Sequence, residues 1–512
     1  MDLVHPRLGL YEPNILVTLG LAALSVLVSY SLQRILLYPG LKAPFVGFRS
    51  RWEPRWLVAL RFSKEALAHI QEGCRKYRDG LFKIARVDTD IVVIPSRYVD
   101  ELHSRPDNQL SAIKAHMKNL LGKYSTIDIL DEGILHTHVL QTDLTPRLGN
   151  LIGTVKDELD FALAHEMPRD VTADRWTTVS IYAIILRIVT RVSARIFVGL
   201  PTCRDEEWLN LSIHFTEDVF ITMAILRRFP SWMRPVIAPL LPRYWAVRRG
   251  LATAKRIIGP LVHKRRVHQA ANPGSEKPVD LLQWMMDKAN ASDGRPGKLA
   301  HRQLILTLAA IHTTTASAAQ AVYDLCAYPD YVDPLRREVL QAVAEDGGTY
   351  KKTTLTKMWE LDSFIKESQR LNPPSLLSFQ RIAMQDLTLS DGLILPRGTH
   401  LAVPAADITK GSDYDPTFDG FRYSRKRSAH AGEAHRHQFA TTDQTSLHFG
   451  HGKYACPGRF FAANEIKIIL AHFLVEYEFR LPEGQGRPEN IMIDEVFLSD
   501  PRAQMQIRRR KE

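Results

Sequence analysis

The stretch that most narrows what this 512-residue chain can build is 449–462, which reads FGHGKYACPGRFFA. Gly450 and Gly452 permit a tight loop and let the backbone approach a flat ligand closely. Cys456 stands where a helix N-cap would, with Pro457 at the first helical position. Proline has no N–H, so the amides of Gly458 and Arg459 are left to point back toward the sulfur. Such donors, with the helix dipole, stabilise a thiolate, lower its pKa and temper its electron donation. Taken singly, a loop cysteine is most often buried and inert. Cys74, Cys203 and Cys326 complete the set of four. None forms a C-x-x-C pair, which excludes a zinc ribbon, disfavours a disulfide framework and suits a reducing compartment.

Residues 15–32, ILVTLGLAALSVLVSYSL, form an 18-residue run without a charge, and the uncharged stretch extends over 13–33. At 1.5 Å per residue such a helix covers most of a bilayer's hydrocarbon core. Asp2, Arg7 and Glu12 nearly cancel before it, unlike the basic start of a cleaved signal peptide. Arg34, Lys42, Arg49 and Arg51 lie just after it, so the positive-inside rule places the bulk of the protein in the cytosol. The expected organisation is therefore a short lumenal N-terminus over 1–13, an anchor over 14–34 and a catalytic domain over 35–512. Later apolar stretches are broken by charges, and no second span is expected. The net charge of +11 invites a nucleic-acid reading. The basic residues are dispersed, however, without an aromatic stacking platform among them, so no nucleic-acid partner is expected. An anionic membrane surface and an acidic redox partner suit such a chain.

The apolar periodicity predicts a mainly α chain with small β-sheets. Helix is expected over 62–75, through most of 150–264, and over 299–328, 332–344 and 359–371, with another starting at Pro457. Strands are expected within 81–95, as a hairpin over 387–395 through Ser390-Asp391-Gly392, and as a pair within 491–507. His430, His435 and His437 read as a solvated loop. Glu367 and Arg370 lie three apart on a helix, where an acid and a base can meet. Ala309 and Thr313 lie one turn apart on one helix face.

Taken together, these stretches resemble the cytochrome P-450 superfamily of haem-thiolate monooxygenases, over nearly the whole chain. Phe449, Gly452, Cys456 and Gly458 fall on its haem-binding signature, which implies haem b with Cys456 as axial ligand to the iron. Tyr454 stands where the family usually has Arg or His for a haem propionate. Arg381, eleven residues after Arg370, resembles its second propionate-binding arginine. Glu367 and Arg370, followed by PTFDGFRY at 416–423, resemble its Glu–Arg–Arg triad, with Arg422 as third member. The stretch 309–314 matches the oxygen-binding segment and implies a catalytic role for Thr313. The usual acid is replaced by His312, which near its ordinary pKa of about 6.5 is expected to relay protons. The Trp-x-x-x-Arg motif of an earlier helix is not visible.

The resemblance implies insertion of one atom of dioxygen into a hydrophobic small molecule, with electrons from an NADPH-cytochrome P-450 reductase. Lys453, Arg459 and Lys467 are the expected docking cations, and the endoplasmic reticulum membrane the expected location. Leu306, Ala310, Leu376, Leu377 and Leu498 are the expected pocket residues. AAIHTTT, FDGFRY and HGKYACPGRFFAANEIK look most like fungal members of secondary metabolism that oxidise terpenoids. A reductase-independent rearrangement and a non-catalytic haem sensor are the alternatives. Thr313, Glu367 and Arg370 argue against the sensor.

Overall fold

The structure is a computed structural model that describes residues 41–405 and 417–511. The expected anchor therefore lies outside the described residues. The principal helices are α1 (Arg55–Lys76), α2 (Ala112–Asn119), α3 (Thr145–Glu166), α4 (Ile181–Phe197), α5 (Glu206–Leu226) and α6 (Pro242–Ala271). They continue with α7 (Pro296–Ala327), α8 (Val332–Glu345), α9 (Trp359–Leu371), α10 (Arg422–Ala429) and α11 (Arg459–Glu476).

The architecture turns on α7. Pro296 sits in its first turn, where a missing N–H is harmless, and the helix stops two residues before Pro329. Its apolar residues lie on every side, so it must be surrounded by protein. It packs against α4, α5, α6, α9 and α11. Among the described residues α5 is the one helix long and apolar enough to cross a membrane, with 56% of its apolar window buried. Trp208, Leu209, Phe215 and Val219 place it in the core.

The first strands of the chain are β1 (Phe82–Ala85), β2 (Asp90–Val93), β3 (Leu110–Ser111) and β4 (Thr177–Val179). After α9 come β5 (Leu377–Ala383), β6 (Leu387–Thr388), β7 (Ile394–Leu395) and β8 (His400–Pro404). A sheet in the order β1-β2-β8-β5-β3 lies beside the helical bundle. The register of β5 on β8 shifts between Ser378 and Arg381, and Phe379 takes φ +48°. This irregularity re-aims consecutive side chains, as bulges do. β6 and β7 form the expected hairpin.

The chain ends in β9 (Tyr477–Arg480), β10 (Asn490–Ile493), β11 (Val496–Ser499) and β12 (Met505–Arg509). The strand pair expected within 491–507 is thus three strands. β10 and β11 pair with each other. β12 departs to lie between β4 and β9. Met505 and Ile507 alternate with polar neighbours, and that apolar face is buried there.

A buried ion network ties several of these elements together. Arg86, after β1, donates to Asp88 at 2.7 Å, Glu495 at 2.6 Å and the Asn119 side chain at 2.9 Å. Arg227, after α5, donates to Asp494 at 3.0 Å and to the Asn119 carbonyl. Asn119 in turn donates to Gln380 of β5 at 2.7 Å.

Candidate active site

The Cys456 loop closes on itself: the Cys456 N–H donates to the Phe449 carbonyl at 2.7 Å. Gly450 and Gly452 hold φ of +67° and +71°, and a Cβ at 452 would stand 2.7 Å from His103 Cβ. Only glycine meets both demands at 452. The helix begins at Arg459 with Gly458 as N-cap, two residues later than expected. Burial pushes the Cys456 thiol up, against the Gly458 N–H, the Arg459 charge and the Arg459 N–H, which pull it down. The expected amides are in place, but the net shift is upward rather than downward, because desolvation of the thiolate outweighs them. Burial pushes Cys203 and Cys326 up to about 12, and neither lines the Cys456 cavity.

That cavity has a volume of about 420 Å³ and lies between the loop, α7, β5 and α2. Ala309 and Thr313 are exposed in an otherwise buried stretch of α7, because their shared face forms the cavity wall. Small side chains there leave room for a flat group between the helix and Cys456. The Thr313 hydroxyl donates back to the Ala309 carbonyl at 2.8 Å. Its lone pairs are thus left for a donor in the cavity.

Part of the cavity wall is built for an anion. Arg381 is 5% exposed, and its Nη2 has no hydrogen-bond partner. Its Nη1 donates to the Gln380 carbonyl at 2.9 Å. Burial pushes its pKa down to about 10, with Asp107 opposing. The guanidinium carbon lies 5.3 Å from the centre of the Tyr454 ring, and the buried Tyr454 hydroxyl also lacks a partner. Leaving a buried cation and a buried hydroxyl unpaired is unfavourable by several kcal/mol, on the order of 2–5. A carboxylate in the cavity satisfies both. Thiol, flat slot and carboxylate receptor together fit haem b.

Glu367, fully buried, accepts from Arg370 Nε at 2.8 Å and Nη2 at 2.6 Å, and from Arg422 Nε at 3.3 Å. Both arginines also donate to the Thr417 carbonyl. The three side chains thus lock the end of α9 to the start of α10.

Other expected residues lie elsewhere. His312 turns away from the cavity: its Nε2 stands 3.1 Å from the Ile213 carbonyl and its Nδ1 3.3 Å from the Tyr182 hydroxyl. Leu377 lines the cavity, but Leu306, Ala310, Leu376 and Leu498 do not. Leu306 is buried one turn before the cavity opens, and Ala310 packs into the main core. Leu376, just ahead of β5, joins the core around Phe62, and Leu498 is on the outside of its hairpin, 37% exposed. Lys467 is buried on Asp362 at 2.5 Å and is not a docking cation. Arg459 is half-buried and spends its donors on the carbonyls of Ala440 and Cys456. The sequence reading missed His116, Asn119, Ser378 and Gln380, which all line the cavity. The available signal was the face of α2, where Ala112, Ala115, His116 and Asn119 cluster at helical spacing.

The cytochrome P-450 family model matches residues 136–507. The cytochrome P-450 monooxygenase olcJ of Penicillium canescens is 62% identical over 470 residues, covering 92% of this chain and 88% of that protein. The ent-kaurene oxidase of Fusarium fujikuroi is 42% identical over 475 residues, covering 92% and 88%. A solved structure, retinoic acid bound cyanobacterial CYP120A1, superposes with a TM-score of 0.66 at 17% identity, over 92% of this chain and 100% of that one. The chain belongs to the cytochrome P-450 family. It is a monooxygenase of the haem-thiolate kind, similar to the two fungal enzymes above.

Proposed function

We propose that this enzyme oxidises a hydrophobic terpenoid or related secondary metabolite, with dioxygen and electrons from an NADPH-dependent reductase. The observation that carries the reading is the cavity that Cys456 and Thr313 share. Its support among relatives is the 42% identity to an ent-kaurene oxidase.

Cys456 would hold the haem iron, and Arg381 and Tyr454 the carboxylates. The bound haem supplies dioxygen activation on a thiolate-ligated iron. Ala309 keeps the wall of α7 thin enough for substrate and oxygen to share the slot. The Thr313 hydroxyl, already donating to Ala309, accepts from a water in the cavity and holds that proton donor in place. Leu377 and Phe379 give the wall an apolar surface that favours a hydrocarbon over water. The 14–34 segment anchors the enzyme in the endoplasmic reticulum membrane, with the catalytic domain in the cytosol.

Incubation of microsomes with a terpenoid panel, with and without NADPH and reductase, tests the reading. An oxygenated product that requires both is expected. Conversion without either one overturns it. Protease added to sealed microsomes should digest the catalytic domain, and full protection would overturn the orientation.

A further inference from the structure

The receptor for carboxylates has one more wall. His116 lies on α2, on the same face as Ala112, Ala115 and Asn119. Ala112 and Ala115 are buried where α2 packs on β5, and this packing carries His116 and Asn119 to the cavity. Asn119 is fully engaged by Arg86 and Gln380. The His116 ring makes no hydrogen bond among the described residues, and it is exposed where it lines the same cavity as Arg381 and Tyr454. Burial, and then the Arg381 charge, push its pKa down to about 4. Arg381 and His116 line one cavity, so a positive charge on His116 would be repelled by the guanidinium.

Two groups able to carry positive charge, held beside an unpartnered phenol hydroxyl, make a poor arrangement by themselves. They make a good one around a carboxylate, which relieves the repulsion and accepts from all three. We propose that His116 is a third carboxylate-holding residue of the cofactor site. With Arg381 and Tyr454 it would complete the set of donors facing the carboxylates. The proposal rests on the haem reading above. It assigns the role to α2, an element that the Cys456 signature does not include.

Haem transfer from the purified holoprotein to excess apomyoglobin reads the proposal without any turnover. His116→Ala should release haem about tenfold faster, the loss of one charge-assisted bond. His116→Lys should release it within about twofold of the parent rate. Reconstitution with iron protoporphyrin IX dimethyl ester, which has no free carboxylates, should remove the difference between parent and His116→Ala. A merely structural role for His116 would leave that difference in place. Equal release by parent and His116→Ala with ordinary haem, or an undiminished difference with the ester, overturns the proposal. Should the alanine variant not fold, His116→Gln and His116→Lys pose the same question, with Lys retaining haem longer than Gln. A parent that shows no thiolate-type band under carbon monoxide would sink the haem reading itself, a different failure from that of His116 alone.

Discussion

The imidazole of His312 stands 3.1 Å from the carbonyl oxygen of Ile213, on the side of α7 away from Cys456. A carbonyl can only accept, so Nε2 carries the proton and Nδ1 accepts from the Tyr182 hydroxyl. Burial pulls the pKa of this histidine below its ordinary value, further from the range of a relay at neutral pH. The side chain ties α7 to α5 and α4 beside the face that lines the cavity.

His312→Ala should therefore lower stability by about 1–3 kcal/mol, measured by chemical denaturation of the holoprotein. Product formed per NADPH consumed should stay near the parent value. His312→Asp should do no better than Ala, because a carboxylate cannot donate to the Ile213 carbonyl. His312→Gln, which keeps a donor, should recover part of the stability. Restored coupling in His312→Asp would revive the relay.

Thr313→Ala should keep its haem and consume NADPH, but product per NADPH should fall about tenfold or more, with peroxide accumulating. Peroxide and product assays on the same samples decide it. Unchanged coupling would remove the α7 face from the proton chemistry.

Cys456→Ala should lose the red-shifted Soret band of the reduced carbon monoxide complex. Retention of that band would assign the iron ligand elsewhere.

Much of this site was legible because its signals are local. Glycines at 450 and 452, the cysteine and the following proline restrict one loop, and its tight turn forms as expected, although the helix after it starts two residues later. Glu367 and Arg370 meet because three residues on a helix bring side chains to one face. What depended on register was not legible. Leu376 and Leu377 look alike in sequence, yet only the second reaches the cavity, since Leu376 lies ahead of β5 in the core around Phe62. His116 was invisible because its place depends on α2 packing on β5, more than 260 residues away in the chain. The departure of β12 to a different sheet is likewise a long-range choice that no local pattern records.

Glu367→Ala should lower stability by about 3–5 kcal/mol, since it strands Arg370, which is buried, together with Arg422. Equilibrium denaturation measures the loss. A loss below about 1 kcal/mol would make the triad an incidental contact.

Stability should also fall between about pH 5 and pH 8. Burial raises Glu465 to about 8, and the Ser193 hydroxyl at 3.1 Å only partly opposes this. The folded state therefore holds this proton when the unfolded state has released it. The resulting stability is complete below the unfolded pKa and is lost as pH rises through the folded one. Glu465→Gln should flatten that part of the profile, measured as denaturation midpoints of both proteins at several pH values. Parallel profiles would show that Glu465 is ionised in the fold.

Asn119 has a consequence for how such an enzyme changes its substrate. Its side chain lines the cavity while bonding Arg86 on one side and Gln380 on the other. A substitution that reshapes the pocket there also removes one of the partners of a guanidinium that is 1% exposed. Variation at 119 is therefore pleiotropic, and descendants that kept the fold would be expected to keep the asparagine. Ser375 and Leu377 border the same space without touching that guanidinium. Natural drift and laboratory evolution toward new substrates should accumulate at those positions first.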